Sequence, residues 1–261
     1  MLASVADLTT PGIVPYCYAF VLVLARMAAS VSVLPGIGET ASPATARAGL
    51  ALSLSLLLLP AVFPLTPLVP ESGITASLAV MAEVATGLWF GWAARLWVLA
   101  LGTTVQYVSY FLGLSNVLQP DADLGPQSTA LAHLFGVIGP MIVLTSGMYR
   151  MPIQALYDLY QVVPPGSFLS DSLTLDRTVS VVGETFDLSL QLAAPLLVAS
   201  VIWHLSIGLA SRLIPRLQIY FISAPGQIVA GLLLFAAAME GILTAWRGAV
   251  DAGWSAIGAA P

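Results

Sequence analysis

Long apolar runs separated by short polar stretches dominate this chain. The runs cover residues 13–34, 46–69, 74–114, 127–148, 186–210 and 217–246. Each is long enough to cross a hydrocarbon core, which takes about 20 helical residues. The third is too long for one ordinary crossing: it has no proline, and its length as a single helix would be roughly 60 Å, about twice the core thickness. Either that helix breaks near Gly102-Thr103-Thr104 or it is not placed as a conventional span. The pattern predicts an all-α membrane-associated fold with about six hydrophobic helical segments.

Polar punctuation divides these segments. The longest polar stretch, residues 149–187, holds Pro164-Pro165-Gly166 followed by Asp171, Asp176, Arg177 and Glu184. Proline pairs stop helices and acidic runs favour water, so this is the natural divide between a four-segment N-terminal part and a two-segment hairpin. A second interruption, residues 114–127, holds Asn116, Gln119-Pro120-Asp121, Asp123 and Gly125-Pro126. Pro60, Pro64, Pro67 and Pro70 fray the end of the second run, while Pro140, Pro195 and Pro225 lie inside later ones. Prolines are tolerated there if neighbouring protein satisfies the freed carbonyls.

Composition sharpens the class. The chain is 58% hydrophobic and 8% charged over 261 residues, too apolar for a soluble domain. It carries eight basic side chains, all arginine, and a formal charge of −5, which argues against a nucleic-acid surface or a polybasic lipid-binding patch. With six crossings, Arg47, Arg212 and Arg216 fall on one side and Arg150, Arg177 and Arg247 on the other, so the arginine bias sets no orientation. Cys17 is the sole cysteine, which excludes an internal disulfide and reads as a small apolar residue. The first run follows Asp7 without a basic leader, so it is expected to be retained rather than cleaved.

Charges inside the apolar runs are the most informative chemistry. One at the middle of a membrane helix costs about 2.5–3.5 kcal/mol on insertion scales and persists where protein or water supplies a partner. Glu83 and Arg95 share the third run. Their separation of roughly 18 Å along a helix rules out mutual neutralisation, so each needs a partner from elsewhere. Between them stand Gly87 and Gly91, and the four residues form one slanting stripe with a GxxxG pair that permits close backbone approach in lipid. Arg26, mid-way along the first run, is the candidate to pair with Glu83, the alternative being a neighbouring subunit.

Other chemistry is sparse. His133 and His204 sit on apolar helices without a carboxylate or cysteine at metal-ligand spacing, so neither a metal nor a cofactor is expected. Gly36-Ile37-Gly38 lacks the lysine of a phosphate loop and reads as a turn. No nucleophile motif points to an enzyme. An ion path through Arg26, Glu83, Arg95 and Glu240, as in a small ion-coupled secondary transporter, is the competing reading of the buried charges.

Several groups of residues together resemble the FliR family of type III secretion export-apparatus subunits, over about residues 10–247. Leu34-Pro35-Gly36-Ile37-Gly38-Glu39 followed by Pro43 and Arg47 is similar to the family's first turn. Glu83, Gly87-Leu88, Gly91 and Arg95-Leu96 match its E-x-x-x-G-L-x-x-G-x-x-x-R-L helix. Gly113-Leu114-Ser115 with Pro120, then Pro165-Gly166, then Pro195, Gly208, Arg212, Pro215, Phe221, Pro225 and Gly231 follow in the family's order and spacing. The chain departs at residues 216–220, at Gln227 where a lysine is common, and at Ser146-Gly147-Met148 in place of a common Asn-Gly-His.

The resemblance implies a non-enzymatic subunit that forms, with FliP and FliQ, a pore for unfolded flagellar proteins in the bacterial inner membrane, at the basal body. FlhB and FlhA are implied as further partners, and no nucleic acid. It also implies a FliP-like part at residues 1–165 and a FliQ-like hairpin at 166–261, folded as one unit in the complex. Residues 111–125, beginning Phe111, Leu112, Gly113, Leu114, Ser115 and Asn116, correspond to the loop that plugs the closed pore. The equivalent subunit of a virulence injectisome shares this pattern.

Overall fold

A computed structural model describes residues 12–39, 42–113, 129–168, 171–213 and 219–258. Among them every regular element is helical: α1 (Ile13–Val33), α2 (Ala44–Val62), a 3-10 turn (Phe63–Leu65), α3 (Gly73–Phe111), α4 (Ala130–Ser146), α5 (Arg150–Val162), α6 (Asp171–Leu213) and α7 (Ile219–Gly258). Among the described residues five helices are long and apolar enough to cross a membrane, or up to six spans if the α4–α5 pair, bent by 79°, counts as one.

The third run does not break. α3 is continuous for 39 residues. Thr103 and Thr104 bond back to the carbonyls of Leu99 and Ala100, and the helix runs on through Gly102. The polar stretch after Tyr149 is also far more helical than its composition suggests. It contains α5, whose buried Pro152, Ala155, Leu156, Leu159 and Tyr160 recur at helical spacing, and the first four turns of α6.

The helices form two compact units. One comprises residues 1–95, 146–179 and 253–261. Here α1 presents a stripe of Ala19, Leu22, Val23, Arg26, Met27, Ser30 and Val31, repeating every three or four residues, as its buried face. α1 packs on α2, and Tyr16 stacks on Phe63 with ring centroids 4.2 Å apart. The indole of the fully buried Trp254 donates to the Ala94 carbonyl at 3.0 Å. Arg177 donates to the Ala256 carbonyl.

The second unit comprises residues 96–145 and 180–252. α4 lies against α3 where glycines remove side chains: a Cβ on Gly102 would sit 3.6 Å from the Gly136 Cα, and one on Gly139 3.2 Å from Val98 Cγ1. Ser189 on α6 donates to the Ala100 carbonyl at 3.2 Å, Trp246 on α7 to that of Trp97 at 3.1 Å, and Phe135 meets Phe235 edge to face. Pro140, Pro195 and Pro225 are inside helices; Pro140 is buried, and Pro195 and Pro225 are exposed.

Candidate functional site

The seam between α1 and α3 in the first unit gathers the intramembrane charges. Arg26 and Glu83 are both fully buried. Arg26 Nε donates to Glu83 Oε2 at 2.7 Å and Nη2 to Oε1 at 3.0 Å, the two-point geometry that suits a guanidinium and a carboxylate. The remaining capacity is used as well. Arg26 Nη1 donates to the Val163 carbonyl at 3.1 Å, and the Gly166 amide donates to Glu83 Oε1 at 2.6 Å. Tyr160 places its ring 4.1 Å from the guanidinium carbon, a cation–π contact in a desolvated setting.

A buried ion pair is stable only when its hydrogen-bonding capacity is met, and the chain after α5 meets it here. Pro164-Pro165 ends that helix and Gly166 turns at φ +78°, a conformation open to glycine, which aims its amide at the carboxylate. The Pro-Gly pair that reads in sequence as a joint is therefore also the clasp on Glu83. Nothing in the spacing foretells a contact across 83 residues, and Val163, Tyr160 and Gly166 were not among the expected charge partners.

From Glu83 the stripe follows α1 along its length. A Cβ on Gly87 would collide with the Arg26 carbonyl and lie 2.9 Å from the Ala29 Cβ. One on Gly91 would lie 2.9 Å from the Ser30 carbonyl oxygen and 3.1 Å from the Val33 Cβ. Ser30 Oγ donates to the Gly87 carbonyl at 3.0 Å across this gap. The two helices run parallel along the seam, because Arg26, Ser30 and Val33 meet Glu83, Gly87 and Gly91 in order. The partner that the GxxxG pair approaches is α1 of the same chain.

Arg95 closes the seam. Its Nη1 reaches the Val33 carbonyl at 3.4 Å and its Nη2 lies 3.0 Å from Glu39, a carboxylate not expected as its partner. The turn after α1 delivers Glu39: Pro35 ends the helix, Gly36 adopts φ +85°, and the Gly38 amide donates to the Leu34 carbonyl at 2.7 Å. A side chain at Gly38 would fall 2.6 Å from the Ser32 carbonyl oxygen. At 30% exposure for each partner, the Arg95–Glu39 pair contributes about 1 kcal/mol at most, and losing one partner costs far less than at the fully buried Arg26–Glu83 pair. Arg47 stands apart, half-buried in the first turn of α2.

In the second unit the structure shows only the start of the expected plug segment. Phe111 is 46% exposed, Leu112 is buried and Gly113 turns at φ +74°. Leu114, Ser115 and Asn116 lie outside the described residues. His133 is exposed on α4, and His204 on α6 bonds through Nδ1 to the Ser200 carbonyl at 2.7 Å. Glu240 is exposed on α7. Among the described residues no three His, Cys, Asp or Glu side chains converge as metal ligands.

Comparison with known proteins gives this architecture a context. The family described as "Bacterial export proteins, family 1" matches residues 17–253. The chain is 32% identical over 229 residues to the flagellar biosynthetic protein FliR of Caulobacter vibrioides, covering 88% of this chain and 91% of that protein. It is 26% identical over 219 residues to the FliR of Escherichia coli, covering 83% and 82%. It is also 25% identical over 242 residues to the Yop proteins translocation protein T of Yersinia pestis, covering 90% of each.

Proposed function

From the premise that this chain belongs to the bacterial export proteins of family 1, we propose that it is a subunit of a type III secretion export gate that assembles with FliP and FliQ into a pore for unfolded flagellar proteins. The observation that carries this reading is similarity to flagellar FliR proteins over 88% and 83% of the chain, with the family match at residues 17–253 taking in the α1–α3 seam and the clasp on Glu83. The outer surface agrees with it. Only 17% of the most apolar window is buried in α2 and in residues 223–257, so those helices leave extensive apolar surface for lipid or partner subunits.

In this reading residues 1–165 are the FliP-like part and 166–261 the FliQ-like hairpin, formed by α6 and α7. Each compact unit draws helices from both parts, so neither part packs alone. Phe111 begins the segment 111–125 that occludes the pore. Its apolar Phe111, Leu112 and Leu114 seal, and its polar Ser115, Asn116 and Gln119 keep the path wettable. The complex resides in the bacterial inner membrane at the flagellar basal body, with FlhB and FlhA as further partners. The seam is structural and non-catalytic: Glu83 accepts three hydrogen bonds from protein donors, which suits a fixed pair better than a proton path. The Yersinia similarity favours a second reading, the corresponding subunit of a virulence injectisome.

One experiment separates these. A host strain lacking the chain is complemented either with the full chain or with one shortened by residues 113–118. The null strain is expected to retain flagellar proteins inside the cell, the full chain to restore their secretion, and the shortened chain to assemble yet leak ions and slow growth. Retained virulence effectors with normal flagellar secretion would move the chain to the injectisome. A shortened chain that assembles and conducts no more than the parent would remove the plug.

A further inference from the structure

The end of α3 is held in an unusual way. The last carbonyls of a helix have no intrahelical partner, and in apolar surroundings an orphan carbonyl is costly. The Leu112 amide still bonds to the Val108 carbonyl and the Gly113 amide to that of Tyr110, at 2.9 and 3.3 Å. The Phe111 carbonyl instead accepts from two other helices. Ser200 Oγ on α6 donates to it at 2.5 Å, and Gln227 Nε2 on α7 reaches it at 3.4 Å, the weaker of the two.

Ser200 departs from the habit of its neighbours. Ser53, Ser55, Ser109 and Ser206 bond back to the carbonyl four residues earlier on their own helix, as serines in apolar helices commonly do. Ser200, only 2% exposed, reaches across to α3, while its Oγ also lies 3.3 Å from His204 Nδ1 on its own helix. Leu112 sits beside it over Gly231, where a Cβ would stand 3.1–3.3 Å from three of its side-chain carbons. An open cleft of about 40 Å³ lined by Leu112, Ser200, Trp203, Gln227, Gly231 and Leu234 adjoins that seat. Leu112 packing holds the side chain at the end of α3, and the two hydrogen bonds hold its backbone.

We propose that Ser200 and Gln227 are positioning residues that clamp the Phe111 carbonyl and so fix the stem from which the plug segment departs, with Gly231 giving Leu112 its seat. The clamp is a statement about α3, α6 and α7 in one unit. Its consequence for pore closure rests on the plug reading above.

The test uses the full chain purified with its co-purifying partners. In a Cys17→Ser background, Phe111→Cys places a spin label on an exposed side chain whose backbone carbonyl is the clamped group. Ser200→Ala, Gln227→Leu and the double variant are compared with Ser200→Thr, which keeps the hydroxyl. The mobile fraction of the label is expected to rise about fivefold in Ser200→Ala, equivalent to one net hydrogen bond of about 1 kcal/mol, and further in the double variant. Ser200→Thr should match the parent. Gln227 is half-buried, so Gln227→Leu still decides the matter if the Ser200 variant fails to fold. An unchanged spectrum in the folded variants, or Ser200→Thr as mobile as Ser200→Ala, overturns the clamp. Ion leak is read in parallel. A looser label without leak, when the chain shortened by residues 113–118 does not leak either, keeps the clamp and removes the plug. An unchanged label with a leaking shortened chain does the reverse.

Discussion

Replacing either Glu83 or Arg26 by alanine is expected to cost about 3–5 kcal/mol and to lower the recovery of folded protein sharply, because each change leaves a fully buried opposite charge without its partner. Removing both charges at once, with Arg26→Met and Glu83→Leu, should be milder than either single change. The Coulombic penalty disappears, and what remains is the unpaired Val163 carbonyl and Gly166 amide, at about 1–3 kcal/mol each. The measurement is a double-mutant cycle on thermal unfolding in detergent, with yield as a second readout. Strictly additive losses would mean that the two side chains are stabilised by different partners, against the geometry described.

The second large effect is steric. Gly87→Leu should separate α1 from α3, since even its first carbon meets the Arg26 carbonyl and the Ala29 side chain. Overpacking typically costs about 1–3 kcal/mol, and the upper end or beyond is expected here because the obstacle is backbone. The same displacement would break the Ser30–Gly87 hydrogen bond and misalign Arg26. Gly49→Ala on α2 is the control: its Cβ would meet nothing within 4 Å, so stability should hold or rise slightly. Equal unfolding temperatures for the parent and Gly87→Leu would show that close approach at the seam is not needed.

Much of this was legible in the sequence, and the reasons are physical. Apolar runs of spanning length mark α1, α2 and the spans in α6 and α7, because the membrane imposes a length on them, whereas the run at 127–148 yields only the 17-residue α4, which reaches spanning length jointly with α5. The stripe from Glu83 to Arg95 also shows itself, since helical geometry aligns residues four apart whatever they pack against. Composition was silent on the helices in residues 149–187. Charged and proline residues mark a polar stretch there without showing that α5 carries a five-residue apolar face and that α6 begins at Asp171. Reading periodicity instead of polarity at Pro152, Ala155, Leu156, Leu159 and Tyr160 would have found α5. The open alternative in the third run resolved toward length: α3 is one helix of 39 residues that passes through Gly102 without a break. Glu39 was visible only as part of a turn, because a loop carboxylate reaching a helix arginine 56 residues away leaves no periodic trace.

The central claim, membership in an export gate, is tested most directly by affinity purification of the tagged chain from its host membrane in mild detergent, followed by native mass spectrometry. A single stable complex containing FliP and FliQ together with this chain is the predicted result, with Glu83→Ala yielding little of it. Recovery of the folded chain alone, with neither FliP nor FliQ bound across a range of detergents, would contradict the account.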